Sequence, residues 1–116
     1  MWQTVDITVS INPLVIDSQA VWFDFSAWIG GYLDQNDNAQ ASLAFLNQAN
    51  QTVGNITTLG PVLAVDRNNI TSLLFRQANG IVPISARFFK VLVTITRSSD
   101  NSNDGDIDNI VLFLYQ

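Results

Sequence analysis

The chain contains neither cysteine nor histidine among its 116 residues. Disulfide bonds and thiolate chemistry are therefore excluded, and zinc, copper and haem sites of the usual kind are nearly excluded, because they depend on thiolate or imidazole ligands. Nucleophilic catalysis has little support for the same reason, and we predict that the chain is not an enzyme. The lack of cysteine is compatible with any compartment.

Glutamate is absent as well, and lysine occurs once, at Lys90. All ten acidic residues are aspartates. Glutamate and lysine usually cover the solvent face of helices, so their scarcity argues against a helical fold, whereas aspartate prefers turns and caps. The net charge of −5 argues against nucleic acid and anionic membranes as partners, because both are bound by basic patches.

Charged residues make up only 13% of the chain, against a usual share of about 25%. A surface with few charges and much Asn, Thr, Ser and Gln suits a glycan or another neutral ligand. No apolar run approaches the ~18 residues of a membrane span, so no membrane insertion is predicted. The length predicts one domain, 1–116, with a hydrophobic core.

Apolar and polar residues alternate along several short segments, which predicts strands with one buried face. The strand 20–29 has the apolar row Val21, Phe23, Phe25, Ala27 and Ile29 and the mixed row Trp22, Asp24, Ser26 and Trp28. Further strands are predicted over 2–11, 40–46, 56–65, 73–76, 87–97 and 110–115. About seven short strands separated by turns predict an all-β sandwich.

Turn and cap residues divide these strands. Asn12–Gln19 is predicted to form a turn or a short helix, with Asn12 as the cap and Pro13 at the first helical position. Gly30-Gly31 predicts a break or bulge in its strand. Gly60-Pro61 predicts an edge strand or a bulge. Asn79-Gly80 is the strongest hairpin signal in the chain.

The order of several motifs resembles the galactose-binding-like jelly-roll domains of extracellular proteins, relatives of carbohydrate-binding modules and discoidin-like lectins. The matching segments, within about residues 20–115, are FSAWIGGY, QNDNA, FLN, LGPV, DRNN, GIVPISARFFKVLVTITR and NDGDIDNIVL. The resemblance implies a jelly-roll β-sandwich located outside the cell or at its surface. It also implies that an acid just before the last strand holds a structural calcium.

The segment Asp100–Asn109 holds four aspartates and three asparagines. Closely spaced oxygen ligands on a turn suit Ca²⁺, which takes 6–8 of them. An EF-hand is excluded, because Val111 stands where that loop requires a glutamate. We therefore predict a different, structural Ca²⁺ site with the ligands Asp104 and Asp108, supported by Asn103, Asp106 and Asn109. The alternative is a solvated loop, since Asp and Asn favour turns.

Two other loops, Asp34–Asn38 and Asp66–Asn69, carry the motifs QNDNA and DRNN. If they converge on the acidic segment, they would complete a cation site or line a sugar pocket, with Asp37, Asn38, Asp66 and Arg67 as ligand-binding residues. The alternative is structural: Arg67 would pair with Asp37.

The mixed row of the strand 20–29 offers the third candidate site. The C–H face of a pyranose stacks on indole while Asp takes its hydroxyls, so Trp22, Asp24 and Trp28 are predicted to bind a sugar. The alternative is burial: both rows lie inside the sandwich, or the tryptophans pack under loops.

The sequence thus predicts a lectin-like carbohydrate-binding domain with a structural calcium. The second hypothesis is a structural or self-assembling interaction protein with a protein partner, which Leu92 among Lys90, Thr94 and Thr96 favours. A homo-oligomer is compatible with both.

Overall fold

The structure, a computed structural model, describes residues 2–31, 38–96 and 106–116. These form seven strands, one short α-helix and two 3-10 turns. In chain order they are β1 (Trp2–Asp6), a 3-10 turn (Ile7–Val9), α1 (Pro13–Asp17), β2 (Trp22–Gly31), β3 (Asn38–Leu46), β4 (Thr52–Leu59), a 3-10 turn (Ala64–Arg67), β5 (Ser72–Ile81), β6 (Phe88–Thr96) and β7 (Asp106–Tyr115).

The strands build two antiparallel sheets that pack face to face. One sheet has four strands in the order β1-β6-β3-β4, and the other has three in the order β5-β2-β7. The prediction of an all-β sandwich is confirmed. In the described residues, no helix has the length and apolarity that a membrane crossing requires.

The centre of the core lies between the inner faces of β2 and β3, each of which has a strand neighbour on both sides. The alternation in β2 places its predicted apolar row inside, and Ala41, Leu43 and Phe45 face it from β3. The rings of Phe23 and Phe45 meet with centroids 5.5 Å apart. Each fully buried side chain of this size contributes about 1.5–3 kcal/mol relative to exposure.

The first predicted strand is too long. β1 ends at Asp6, whose carboxylate accepts hydrogen bonds from the backbone N–H and the hydroxyl of Thr8. This cap begins a 3-10 turn, so Ile7 is buried while Val9 is 82% exposed. The predicted start of α1 is confirmed, because the Asn12 side chain accepts from the Leu14 N–H and Pro13 is the first helical residue.

Two turn predictions in the three-stranded sheet are wrong. Gly30-Gly31 neither breaks its strand nor forms a bulge, since β2 continues through both glycines in regular register with β5. Asn79-Gly80 lies inside β5, opposite Asp24 and Phe23, and the predicted strand 73–76 is therefore part of a ten-residue strand. Gly80 leaves room for the Phe23 ring. A Cβ at position 80 would lie only 3.1 Å from the nearest ring carbon, so a larger residue would press on the ring.

Candidate functional site

The mixed row of β2 lies on the outer face of the three-stranded sheet. Successive strand residues point to opposite faces, so the burial of Phe23, Phe25 and Ala27 turns the other row outward. Trp22 is 42% exposed and Trp28 is 41% exposed. The two indoles are therefore partly exposed on a sheet face, and the alternative that both rows of β2 are buried is wrong.

Strand register extends this face into four rows of three residues, which we call the aromatic face. Antiparallel partners share a face of the sheet, so each β2 residue defines one row with its β5 and β7 partners. The rows are Ile81-Trp22-Tyr115, Asn79-Asp24-Phe113, Gln77-Ser26-Val111 and Phe75-Trp28-Asp108.

The aromatic face has apolar ends and a polar middle. At one end Trp22 lies between Ile81 and Tyr115, which are 41% and 48% exposed. At the other end the rings of Trp28 and Phe75 meet with centroids 5.3 Å apart and planes at 56°. This tilted contact, within the favourable range for aromatic pairs, holds Trp28 in place.

Polar side chains occupy the middle rows on the β2 and β5 side. The Gln77 amide Nε2 donates to Asp24 Oδ1 at 2.7 Å, which orients both side chains across the two strands. Ser26 and Asn79 lie beside them. The face therefore offers hydrogen-bonding groups between two platforms of rings.

The acidic segment meets the aromatic face at its Trp28 end. The prediction that the last strand starts at residue 110 is wrong, because β7 begins at Asp106. Asp108 pairs with Trp28, and ladder pairing with β2 holds these residues in a strand despite the low β-propensity of aspartate. Between Asp108 and Val111 the register shifts by one residue, and Asn109 adopts a positive φ of 50°. This β-bulge bends the edge strand.

The remaining predicted ligand-binding residues lie apart from this face. Asn38 opens β3 in the other sheet. Asp66 accepts from the Leu63 N–H in the second 3-10 turn. Arg67 is buried, and its guanidinium donates to the carbonyls of Gly31 and Ile70 at 3.0 and 2.6 Å. This placement favours a structural role for Arg67. Its predicted partner, Asp37, lies outside the described residues.

The predicted calcium site falls largely outside the described part of the chain. Asn103 and Asp104 are not described, nor is the side chain of Asp106. Asp108 and Asn109 are exposed on β7, and the Asp108 carboxylate accepts from the Asn109 N–H at 2.8 Å. Within 2–31, 38–96 and 106–116, no group of three or more Asp, Glu, His or Cys is arranged to hold a metal ion.

Sequence reasoning missed every β5 member of the aromatic face and all its β7 members except Asp108. The large exposed side chains among those missed are Phe75, Ile81, Phe113 and Tyr115. The apolar run 110–115 and the segment 72–81 show no regular alternation of apolar and polar residues, so the sequence does not reveal which of their side chains face outward. Their proximity to Trp22 and Trp28 depends on the pairing of β2 with both β5 and β7, which local patterns do not specify.

Comparisons with known proteins give matches among solved structures alone. No protein-family model matches the chain, and no curated protein matches it. The fold is similar to part of the enzymatically active domain of tailspike protein 4 from bacteriophage CBA120, with a TM-score of 0.58 and 17% identity over 81% of this chain. The match spans 12% of the neighbour. At this identity the similarity shows the fold alone.

This comparison corrects the prediction that the chain is not an enzyme. The neighbour is named as an enzymatically active domain, so a sandwich of this shape occurs inside an enzyme. The prediction relied on the missing histidine and cysteine, and a carboxylate mechanism needs neither. The fold and the composition therefore do not exclude catalysis.

Proposed function

We propose that the chain binds carbohydrate in a lectin-like manner through its aromatic face. The supporting observation is the pair of half-exposed tryptophans, Trp22 and Trp28, that flank the polar residues Asp24 and Ser26 on one open sheet face. Indole rings stack on the apolar faces of sugar rings, and carboxylate and amide groups take the hydroxyls. The face needs little rearrangement, because strand pairing and the Trp28–Phe75 contact position it.

A glycan array followed by tryptophan fluorescence titration tests this proposal. We expect binding of a neutral glycan with a change in indole emission, and loss of binding in the double variant Trp22→Ala/Trp28→Ala. Leu92→Ala is the matched control, since Leu92 is 38% exposed on the opposite sheet. Emission that ignores every glycan on the array would contradict the proposal.

A structural calcium at the start of β7 is retained as a second part of the proposal. Its support is the close spacing in sequence of Asn103, Asp104, Asp106, Asp108 and Asn109. The carboxylates of the three aspartates repel one another without a cation. Millimolar Ca²⁺ should raise the melting temperature, chelator should lower it, and Asp104→Asn/Asp108→Asn should remove the difference. Identical melting curves with Ca²⁺ and chelator would exclude this site.

The galactose-binding-like jelly-roll relationship and an extracellular or cell-surface location are part of the same proposal. They rest on the order of motifs from FSAWIGGY to NDGDIDNIVL. A carbohydrate ligand suits that location, and the sandwich architecture is compatible with the relationship.

A structural or self-assembling role is the second candidate. It is favoured by Ile56 and Leu92, which are 58% and 38% exposed on the outer side of the four-stranded sheet and line a shallow groove with Thr4, Ser42 and Lys90. The structural neighbour is a tailspike protein, in which the matched part is a small fraction of the chain. Light scattering separates the candidates: an oligomer that Ile56→Ser/Leu92→Ser dissociates supports assembly.

A further inference from the structure

We infer that the aromatic face binds an extended, uncharged oligosaccharide that lies along β2 and contacts Trp22 and Trp28 with different sugar rings. This inference rests on the proposed function and adds the class of ligand. A lectin pocket for a single sugar would instead bring its aromatic and polar groups around one ring.

The spacing of the tryptophans requires a chain. Trp22 and Trp28 are six residues apart on one strand, which separates them by roughly 20 Å at ~3.3 Å per residue. A single pyranose ring cannot contact both indoles across that distance. An oligosaccharide of several sugars can, provided that its backbone is extended.

The side chains between the two tryptophans complement the polar edge and the apolar surface of an extended oligosaccharide. Asp24, Ser26, Gln77 and Asn79 line the β2 and β5 side, whereas Phe113, 63% exposed, and Val111 line the β7 side. Hydroxyls along one edge of the oligosaccharide would meet the polar side chains. Its C–H surface would cover the apolar ones.

The charges of the face select an uncharged ligand. Within the four rows, the charged residues are Asp24 and Asp108, and both are acids. Asp108 lies next to Trp28, and Asp24 lies one row from Trp22. An anionic sugar stacked on either indole would be repelled by a nearby carboxylate.

Both ends of the face are held in place before a ligand binds. Trp28 packs against Phe75, and Trp22 has strand neighbours on both sides, Ile81 and Tyr115. A preformed site avoids the entropic cost of ordering side chains during binding. The two ends should therefore act together on one ligand, so that affinity increases with chain length until the ligand spans them.

The test is isothermal titration calorimetry with linear gluco-, manno- and galacto-oligosaccharides, from the monosaccharide to the hexasaccharide. We expect affinity to rise steeply at the length that spans both tryptophans and then to level off. Trp22→Ala and Trp28→Ala should each weaken binding of the longest ligand about tenfold and abolish the dependence on length. Trp22→Phe and Trp28→Phe, which keep a ring, should retain part of the affinity if the alanine variants fold poorly.

Two controls accompany the series. Ile56→Ala removes an exposed apolar side chain from the other sheet and should change nothing. Galacturonic acid oligomers match the galactose series in length and add one carboxylate to each sugar, and they should bind at least tenfold more weakly.

The outcomes separate the inference from the proposed function. If a monosaccharide binds as tightly as the hexasaccharide, if one tryptophan alone matters, or if the galacturonic acid series binds equally well, the inference is wrong while carbohydrate binding stands. If no glycan binds, both are wrong. Self-association that Trp22→Ala/Trp28→Ala abolishes, without any glycan binding, would assign the face to a protein partner.

Discussion

Arg67 takes a positive charge into the interior at one end of β2. Its guanidinium donates to the carbonyls of Gly31 and Ile70, and so connects the end of a central strand to the turn that follows β4. Both hydrogen bonds come from Nη1, whose two N–H groups have fixed directions in the planar guanidinium, whereas the ammonium group of lysine lies on a shorter, flexible side chain. The role visible in the structure is to close the sandwich at this end.

Replacing Arg67 by lysine should destabilise the fold. A lysine would leave at least one buried carbonyl poorly paired, at a cost of about 1–3 kcal/mol. Urea denaturation measures the loss. Arg76→Lys serves as the control, because the Arg76 guanidinium donates to the neighbouring Phe75 carbonyl at an exposed position. Equal stability of Arg67→Lys and the unmodified chain would show that the buried contacts contribute little.

Asp17 links the end of α1 to the segment before β6. Its carboxylate accepts from both terminal nitrogens of Arg87, at 3.0 and 2.8 Å, and from the Ser85 N–H at 2.8 Å. The hydrogen bonds from Arg87, followed by that from Ser85, lower the pKa of Asp17 below its ordinary value. The contact is a bidentate ion pair between elements that are 70 residues apart in sequence.

The lowered pKa of Asp17 predicts the pH dependence of stability. Because the folded pKa lies below the unfolded value of about 3.9, this stabilisation is fully present above that pH and is lost as pH falls through the folded pKa. Thermal melts from neutral pH into acid should show Asp17→Asn less stable than the unmodified chain at neutral pH, with the difference shrinking in acid. A difference that stays constant with pH would contradict this.

At the scale of elements, β2 carries both the core and the aromatic face, and its glycine end sets its distance from β5. A Cβ built on Gly30 overlaps the carbonyl oxygen of Ser72 and lies 2.7 Å from the carbonyl carbon. Both contacts are with backbone, so neither strand can relieve them by changing a rotamer. Gly30 is therefore needed for close pairing of β2 with β5.

Substituting Gly30 with alanine should separate the two strands locally and destabilise the fold by about 1–3 kcal/mol or more. Chemical denaturation measures this, with Ser26→Ala on the outer face of the same strand as the control. We also expect weaker tryptophan burial at the Trp28 end, seen as a red shift of emission. An unchanged unfolding midpoint for Gly30→Ala would mean that the backbone adjusts at little cost.

Alternation predicted the inner row of β2, because one face of that strand is wholly apolar. It did not predict the extent of β5 and β7, where Asn79-Gly80 and the aspartates signal turns locally. Pairing with β2 outweighs those local preferences. The exposure of Trp22 and Trp28 could not be predicted either, because an alternating strand does not reveal whether another layer covers its second face.

At the scale of the whole molecule, the two sheets are unequal, with four strands facing three. The inner faces of β1 and β6 therefore extend past β7. An open cleft of about 280 Å³ lies between β7 and these two strands, and its lining includes Val5, Phe89, Val91, Ile110 and Leu112. β7 is an edge strand next to this apolar cleft. Such edges invite pairing with other chains, and bulges and charges oppose it.

Deleting Asn109 should increase self-association. The deletion removes the bulge that bends β7 and restores regular pairing along β2, which leaves a flatter edge beside the cleft. Sedimentation velocity over a range of concentrations measures the change. Asn109→Gly keeps the residue count and tolerates the positive φ, so it should behave as the unmodified chain. Identical sedimentation of the deletion variant would show that the bulge does not protect the edge.

The pairing of Tyr115 with Trp22 has a practical consequence for experiments. Any tag or surface tether fused after Gln116 starts at the border of the aromatic face and would crowd its Trp22 end. Trp2 pairs with Leu92 in the opposite sheet, so attachment through the amino terminus leaves that face open. Arrays and sensor chips should therefore immobilise the protein by its amino terminus.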